Sequence, residues 1–325
     1  MTLLGGVDIG GTKCAVVVGR ATADRVDVLG KRSYPTPESP EAAAASFVSG
    51  LESLLGELGL AGLDAVGVSC GSPLDSRRGL ILSPPNLPHW DRVDVVAPLK
   101  AAFRSPVGLQ NDANAGALAE WKWGAGRGCR NVIFLTFGTG MGAGLILDGR
   151  LYSGTNDMAG EVGHMRLERD GPVGYGKAGS FEGFCSGGGI AAYARSVAAA
   201  SLREGRMPSF CSSPEQLPHI SARSVGEAAQ AGDPDALDIY RVVGRKLGQG
   251  LAVLVDLLNP ERIVIGSIYG RQRRLLEPYV LEELQKEALP DALRACEIVP
   301  AELGDSVGDL ASLSVAMNAF THTRG

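Results

Sequence analysis

Two short runs of glycine and threonine stand where a polyphosphate could be held. The first, Gly10-Gly11-Thr12-Lys13, interrupts the apolar stretch Leu3 to Val18 just after Asp8. Glycine lets backbone N–H groups approach an anion with no Cβ in the way. A carboxylate at that strand end suits a hydrated Mg²⁺, which keeps waters and takes one or two carboxylates. The same residues also make a plain hairpin corner, and this stretch alone does not choose between the two. The second run, Gly138-Thr139-Gly140, lies within Val132 to Leu147 and repeats the phrase of apolar strand, glycine corner, apolar strand. The repeat suggests two related halves, each offering a corner to one ligand, and favours a nucleotide over two unrelated turns.

Further polar residues fall at strand ends or between glycines. Asn111-Asp112 follows the apolar run Pro106 to Gln110, at the carboxyl end where open α/β sheets gather ligands. An Asp there serves as a helix N-cap or as a catalytic base, and local sequence does not separate these roles. Asn86 sits in a proline-stiffened loop, where the ordinary use of Asn is a turn cap. Gly160-Glu161-Val162-Gly163-His164 sets a carboxylate and an imidazole three residues apart, and a glycine-dense loop, Gly171 to Gly189, carries Glu182 and Cys185.

The elements that must position these groups follow from periodicity. A hairpin is expected over Leu3 to Val18, a third strand over Arg25 to Tyr34, a helix over Glu41 to Leu58 and a buried strand over Asp64 to Ser69. This β-β-β-α-β order points to a mixed sheet with helices on its faces. A helix is expected over Ala113 to Trp123, a boundary in Gly124 to Arg130, and helices over Ile190 to Arg203, from Ser221, and from Asp233-Pro234 to Leu258. Gly244, Gly248 and Gly250 inside the last of these imply close packing. A strand over Arg262 to Ile265 ends at Gly266-Ser267. A helix over Leu275 to Glu287, a strand over Glu297 to Val299 and a closing helix over Asp309 to Phe320 complete the chain.

With 325 residues, 45% hydrophobic and 21% charged, the chain is long enough for two domains with a large core. A net charge of −5 points to no nucleic-acid partner and no membrane surface. Six scattered cysteines without a CxxC pair read as reduced core residues, and no signal-peptide pattern precedes the first hairpin. A cytoplasmic protein is expected.

Taken together, six phrases resemble the ROK family of repressors and sugar kinases within the actin/hexokinase-like ATPases. They are Asp8-Ile9-Gly10-Gly11-Thr12-Lys13, Pro85-Asn86-Leu87, Asn111-Asp112-Ala113-Asn114-Ala115, Phe137-Gly138-Thr139-Gly140-Met141-Gly142, Gly160-Glu161-Val162-Gly163-His164 and Val264-Ile265-Gly266-Ser267, in family order. The resemblance implies an α/β protein of two RNase-H-like domains with mixed sheets and a cleft between them. These are residues 1–123, completed by the closing helix 309–325, and residues 124–308. It implies that ATP lies against Asp8, Gly10, Gly11, Thr12, Lys13, Thr136, Gly138, Thr139 and Gly140, with Gly266 near the adenosine. A hexose would meet Gly71, Asn86, Asn111, Asp112, Glu161, His164 and Glu182, with Asp112 as general base. Mg²⁺ would arrive with ATP, near Asp8, and a homodimer is implied.

One departure stands out. The family's Cys-x-Cys-Gly-x-x-Gly-Cys-x-Glu segment, which with the His holds structural zinc, here has Val173, Tyr175 and Ser180 at its cysteine positions, while Glu182 remains. Zinc is therefore not expected, since a structural site takes four ligands. The loop is expected to be held by packing of Tyr175 and Phe181. The leading expectation is an ATP-dependent kinase of a hexose hydroxyl, the 6-OH of glucose or a close relative. Fructose, allose and N-acetylhexosamines are alternative substrates, with specificity set around Ser72, Asn86 and Tyr175. A family repressor would need an N-terminal helix-turn-helix, and only seven residues precede Asp8. A non-catalytic sugar or nucleotide sensor is the reading of another class; the intact Asp8, Asp112 and glycine corners oppose it.

Overall fold

The computed structural model describes residues 1–22, 24–304 and 307–323. Residues 305 and 306 of the expected second domain and 324 and 325 of the expected closing segment lie outside the described residues. The chain divides into two units. One takes 1–130, 144–159 and 302–325, the other 131–143 and 160–301.

The first unit runs β1 (Thr2–Ile9), β2 (Lys13–Ala21), β3 (Val26–Pro35), α1 (Pro40–Leu58), β4 (Ala65–Cys70), β5 (Leu74–Asp75), β6 (Leu80–Leu82), β7 (Asp91–Asp94), α2 (Val96–Phe103), β8 (Val107–Asn111) and α3 (Asp112–Trp123). Its sheet has the order β3-β2-β1-β4-β8. Pairing is antiparallel through the β1–β2 and β2–β3 hairpins and parallel from β1 to β4 to β8. Side chains alternate across it. Val7, Ile9, Val16, Val66, Val68 and Leu109 share one core with Phe47, Leu51 and Leu54 of α1. Leu4, Val17 and Ala65 share the other with Trp123 of α3 and Leu313 and Ala316 of α10 (Val307–His322). Helix α1 begins where Ser39 accepts the N–H of Ala42 at 3.1 Å and ends at Gly59, whose φ of 64° suits a residue without Cβ. Helix α10 lies close to its sheet because Gly67 leaves room for it. A Cβ there would overlap the backbone O of Ser312 and N of Ala316.

The second unit holds β9 (Val132–Phe137), the start of β10 (Met141–Leu147), β12 (Val173–Gly174), β13 (Lys177–Ala178), α4 (Phe181–Phe184), α5 (Gly187–Arg203), α6 (Ala222–Gln230), α7 (Pro234–Leu258), β14 (Arg262–Ile265), α8 (Ile268–Glu287), α9 (Pro290–Arg294) and β15 (Glu297–Pro300). The rest of β10 and β11 (Arg150–Leu151), paired through Ile146 and Leu151, belong to the first unit. Strands β9, β14 and β15 are parallel, with β14 in the middle. The order β10-β9-β14-β15 repeats β2-β1-β4-β8 of the first unit. The glycines of α7 act as expected from the sequence. A Cβ on Gly244 would stand 2.9 Å from Cβ of Tyr279, and one on Gly248 2.6 Å from Cβ of Glu283, both on α8, while Gly250 leaves room for the Phe181 ring.

Two stretches differ from expectation. Helix α8 is two pieces joined at Gln272, whose φ of −116° and ψ of 21° are not helical, so a single turn from Ile268 precedes the helix expected from Leu275. Strand β7 and helix α2 fill a stretch for which no element was expected. Among the described residues, no helix is long and apolar enough to cross a membrane.

Candidate active site

In the first unit, the corner between β1 and β2 is closed by the Gly10 N–H donating to the Lys13 carbonyl at 3.1 Å. Gly11, Thr12 and Lys13 are exposed. The loop bearing Asn86 lies directly against it. A Cβ on Gly11 would stand 2.6 Å from the Asn86 carbonyl oxygen, and one on Gly71 3.1 Å from Asn86 Oδ1. Glycine at both positions therefore lets Asn86 reach the corner and the end of β4 together.

At the end of β8, Asn111 is 4% exposed and its Oδ1 accepts the Asn114 N–H at 2.7 Å. Asn111 is thus the N-cap of α3 and Asp112 its first residue. Asp112 does not serve as the cap. Its Oδ1 takes the Ala113 N–H at 2.9 Å and the residue is exposed. Loss of surrounding water nevertheless raises its carboxyl above the ordinary carboxylate range, opposed by the backbone N–H groups of Ala113 and of Asp112 itself.

Asp8 is half-buried and pushed up to about 6, first by burial, then by the negative charges of Asp309 and Asp112, with Lys31 opposing. Lys31 is itself paired with Asp309 at 2.6 Å. Carboxylates that repel one another where water is thin are relieved by a cation, and Mg²⁺ needs only one or two of them. Asp8 and its surroundings therefore fit a hydrated Mg²⁺.

In the second unit, the corner after β9 is braced from several sides. The Gly138 N–H donates to the Gly140 carbonyl at 3.1 Å, and the Gly187 N–H at the start of α5 donates to the Gly138 carbonyl at 2.7 Å. Thr136 accepts the Gly142 N–H at 2.9 Å, so its hydroxyl holds the hairpin. Gly138 has no positive φ, and a Cβ there would meet only Ser267 Oγ at 3.8 Å. Its backbone does not demand glycine, and the space above it is open. A cavity of about 790 Å³ begins at Gly138 and Thr139 and is walled by α5, α6, Tyr240 and the first turn of α8. Gly266 is buried behind the wall, its N–H donating to the Leu135 carbonyl at 2.9 Å, while Ser267, Ile268, Arg271 and Gln272 line it.

Glu161 and His164 are exposed on one short turn and Glu182 is half-buried. Glu182 Oε2 accepts the Met141 N–H at 3.0 Å, directly after the corner. The carboxylate expected to serve the sugar is thus tied to the corner expected to hold phosphate as well. The loop without the family's cysteines is ordered by a small hairpin, β12–β13, whose two turn residues Tyr175 and Gly176 have φ of 44° and 75°. Lys177 Nζ donates to the His164 carbonyl at 2.7 Å. Ser180 caps α4 by accepting the Gly183 N–H at 3.1 Å, and Lys246 pairs with Glu168 and stands over the Phe184 ring. Phe181 is fully buried, as expected, but Tyr175 is 78% exposed and packs nothing down. Its position at a left-handed hairpin turn forces it outward, where its ring meets that of His164 edge-on at 6.4 Å. Val173 and Tyr175 offer no metal donor of the zinc kind, and among the described residues no three His, Cys, Asp or Glu side chains are grouped to hold a metal.

Two buried carboxylates not singled out from the sequence brace turns of the first unit. Buried Asp157 accepts both the N–H and the hydroxyl of Ser76 at 2.8 Å, bracing the turn after β5. Fully buried Glu120 accepts the N–H groups of Ala125 and Leu303 at 2.8 and 3.0 Å. An isolated Asp or Glu in a polar stretch carries no periodicity or motif that would mark it.

The comparisons with known proteins are extensive. The ROK family model matches residues 4–318. A glucokinase from Streptomyces coelicolor is 31% identical over 97% of this chain and 98% of its own. A ROK family glucokinase from Streptomyces griseus, solved in complex with glucose and AMPPNP, has a TM-score of 0.73 and 29% identity, covering 97% of this chain and 99% of that one. Its likeness bears out the α/β class with mixed sheets. A xylose repressor from Caldicellulosiruptor bescii is 31% identical over 63% of this chain but 50% of its own length.

Proposed function

The chain belongs to the ROK family, and from that premise we propose that it is an ATP-dependent sugar kinase that phosphorylates the 6-hydroxyl of glucose or a close relative. The observation that carries the reading is the pairing of Asn111 with Asp112. Asn111 does the capping, so the Asp112 carboxylate is available for chemistry, and its raised proton affinity makes it a better base. Glucokinase relatives along the whole chain support sugar phosphorylation, and a relative holding glucose and AMPPNP supports ATP as donor.

In this reading Asn86, Asn111, Glu161, His164 and Glu182 hydrogen-bond the hexose hydroxyls, which must keep partners once buried. Asp112 accepts the proton of the attacking hydroxyl as its oxygen bonds to the γ-phosphorus and ADP leaves. Such transfer depends on positioning and charge more than on covalent help from the protein. The backbone N–H groups of the two corners hold the phosphates, with Lys13 adding charge. Asp8 would hold Mg²⁺, which, when bound, neutralises phosphate charge. A cytoplasmic homodimer belongs to the same proposal. ADP release measured with ATP and a panel of glucose, mannose, fructose, allose and N-acetylhexosamines tests it. Release with glucose or a near relative is expected, and binding of sugar without turnover would favour a sensor instead.

A further inference from the structure

We propose that Arg271 reads the ribose-proximal phosphates of the donor nucleotide, and that Ser267 is a positioning residue that holds Arg271 for this task. The inference deepens the kinase reading and rests on it for the identity of the donor.

Ser267 stands between β14 and α8 with φ 56° and ψ −109°, a conformation that suits glycine and strains a side chain. At the N-cap of a helix, serine usually repays its placement by accepting an N–H of the first turn. Ser267 makes no such bond. Its hydroxyl instead accepts from Arg271 Nη2 at 2.9 Å, one turn along α8. The strained backbone thus serves the guanidinium.

The surroundings point to an anion. Ser267 Oγ lies 3.8 Å from where a Gly138 Cβ would be, so the Ser267–Arg271 pair borders the phosphate corner. Three arginines line the cavity, Arg195, Arg223 and Arg271, against one carboxylate, Glu227. Glu227 is taken by Arg223 at 2.9 Å. Among the described residues no carboxylate pairs with Arg271 or Arg195. Arg195 donates to the Ile220 carbonyl at 3.2 Å, and its buried Nε has no hydrogen-bond partner. Two uncompensated positive charges and an adjoining glycine corner converge on one wall, which matches phosphate rather than a neutral base.

Calorimetry of ADP and of adenosine against wild type, Arg271→Ala, Ser267→Ala and the double variant tests this. A hydrogen bond to a charged group lost in Arg271→Ala should weaken ADP about 10- to 100-fold and leave adenosine unchanged. Ser267→Ala should weaken ADP by less, and the double variant no more than Arg271→Ala alone, because serine acts through arginine. Ser267→Gly should melt above Ser267→Ala, since only glycine relieves the strain. Unchanged ADP affinity in Arg271→Ala, an equal loss of adenosine, or additive effects in the double variant would overturn the assignment. Wild type that binds no ADP overturns it together with the kinase reading. Arg271-dependent ADP binding in a protein that phosphorylates no hexose overturns the kinase reading alone.

Discussion

Asn111 Oδ1 accepts the Asn114 N–H at 2.7 Å, so the residue before Asp112, not Asp112 itself, caps α3. This separates structure from chemistry at adjacent positions. Asp112→Asn should lower turnover by about 10²–10⁴-fold, because an amide takes no proton, while the melting temperature stays near that of wild type. Asn111→Ala should cost about 0.5–2 kcal/mol of stability through the lost cap. Steady-state kinetics and thermal melts on both variants check the division, and near-normal turnover in Asp112→Asn would remove it as the base.

Glu182 joins the sugar loop to the phosphate corner through Met141. Glu182→Ala should therefore raise the KM for both hexose and ATP. Glu182→Gln, whose carbonyl still accepts the Met141 N–H, should affect the hexose more than ATP. The charged hydrogen bonds at stake are worth about 1.5–3 kcal/mol. An ATP KM equal to wild type in Glu182→Ala would show that the corner stands without this brace.

Asp8 gives a pH dependence of definite sign. Its carboxyl is raised from the ordinary 3.8 to about 6, chiefly by burial. Between these values the folded protein keeps a proton that the unfolded chain has lost, so stability falls as pH rises through this window and remains lower above it. One pKa unit corresponds to about 1.4 kcal/mol, so Asp8→Asn should stabilise by about 1–3 kcal/mol at pH 8 and by little below pH 4. Urea midpoints at the two pH values measure it, and an equal effect at both would refute the cause assigned here.

Two glycine-to-alanine substitutions should have opposite signs. At Gly67 the new Cβ would strike backbone atoms of Ser312 and Ala316, and a loss above ~3 kcal/mol is expected. At Gly56, within α1 and with nothing within 4 Å, alanine should add about 0.5–1 kcal/mol through helix propensity. Denaturant titrations compare the pair directly.

The elements that carry long apolar periods were legible in the sequence. The strands around both glycine corners, α1 and the 25-residue α7 all follow from spacing. The single turn that opens α8 was not, because it is broken from the periodic helix at Gln272, contains Gly270 and follows a serine whose side chain turns to Arg271 instead of capping. At the candidate site the glycines and Asp112 were visible as local phrases. The i,i+4 tie from Ser267 to Arg271 needs the helical turn at Ile268, and the ties from Asn86 to Gly11 and from Glu182 to Met141 depend on backbone direction, which no spacing reveals. Tyr175 was misplaced for the same reason. An aromatic ring suggests packing, and only the left-handed turn turns it outward.

The close seat of α10 on the first sheet bears on how the protein is made. Ser314 of α10 donates to the carbonyl of Ala115 at 3.0 Å across 199 residues of sequence. During synthesis the small glycine-lined face of β1 and β4 is covered only at its α3 edge until this late segment leaves the ribosome, while all of the second unit has already emerged. The inserted unit can fold first, and the surrounding unit finishes last. A ribosome stalled before residue 307 would hold a chain whose first sheet still exposes the rest of that apolar face to chaperones.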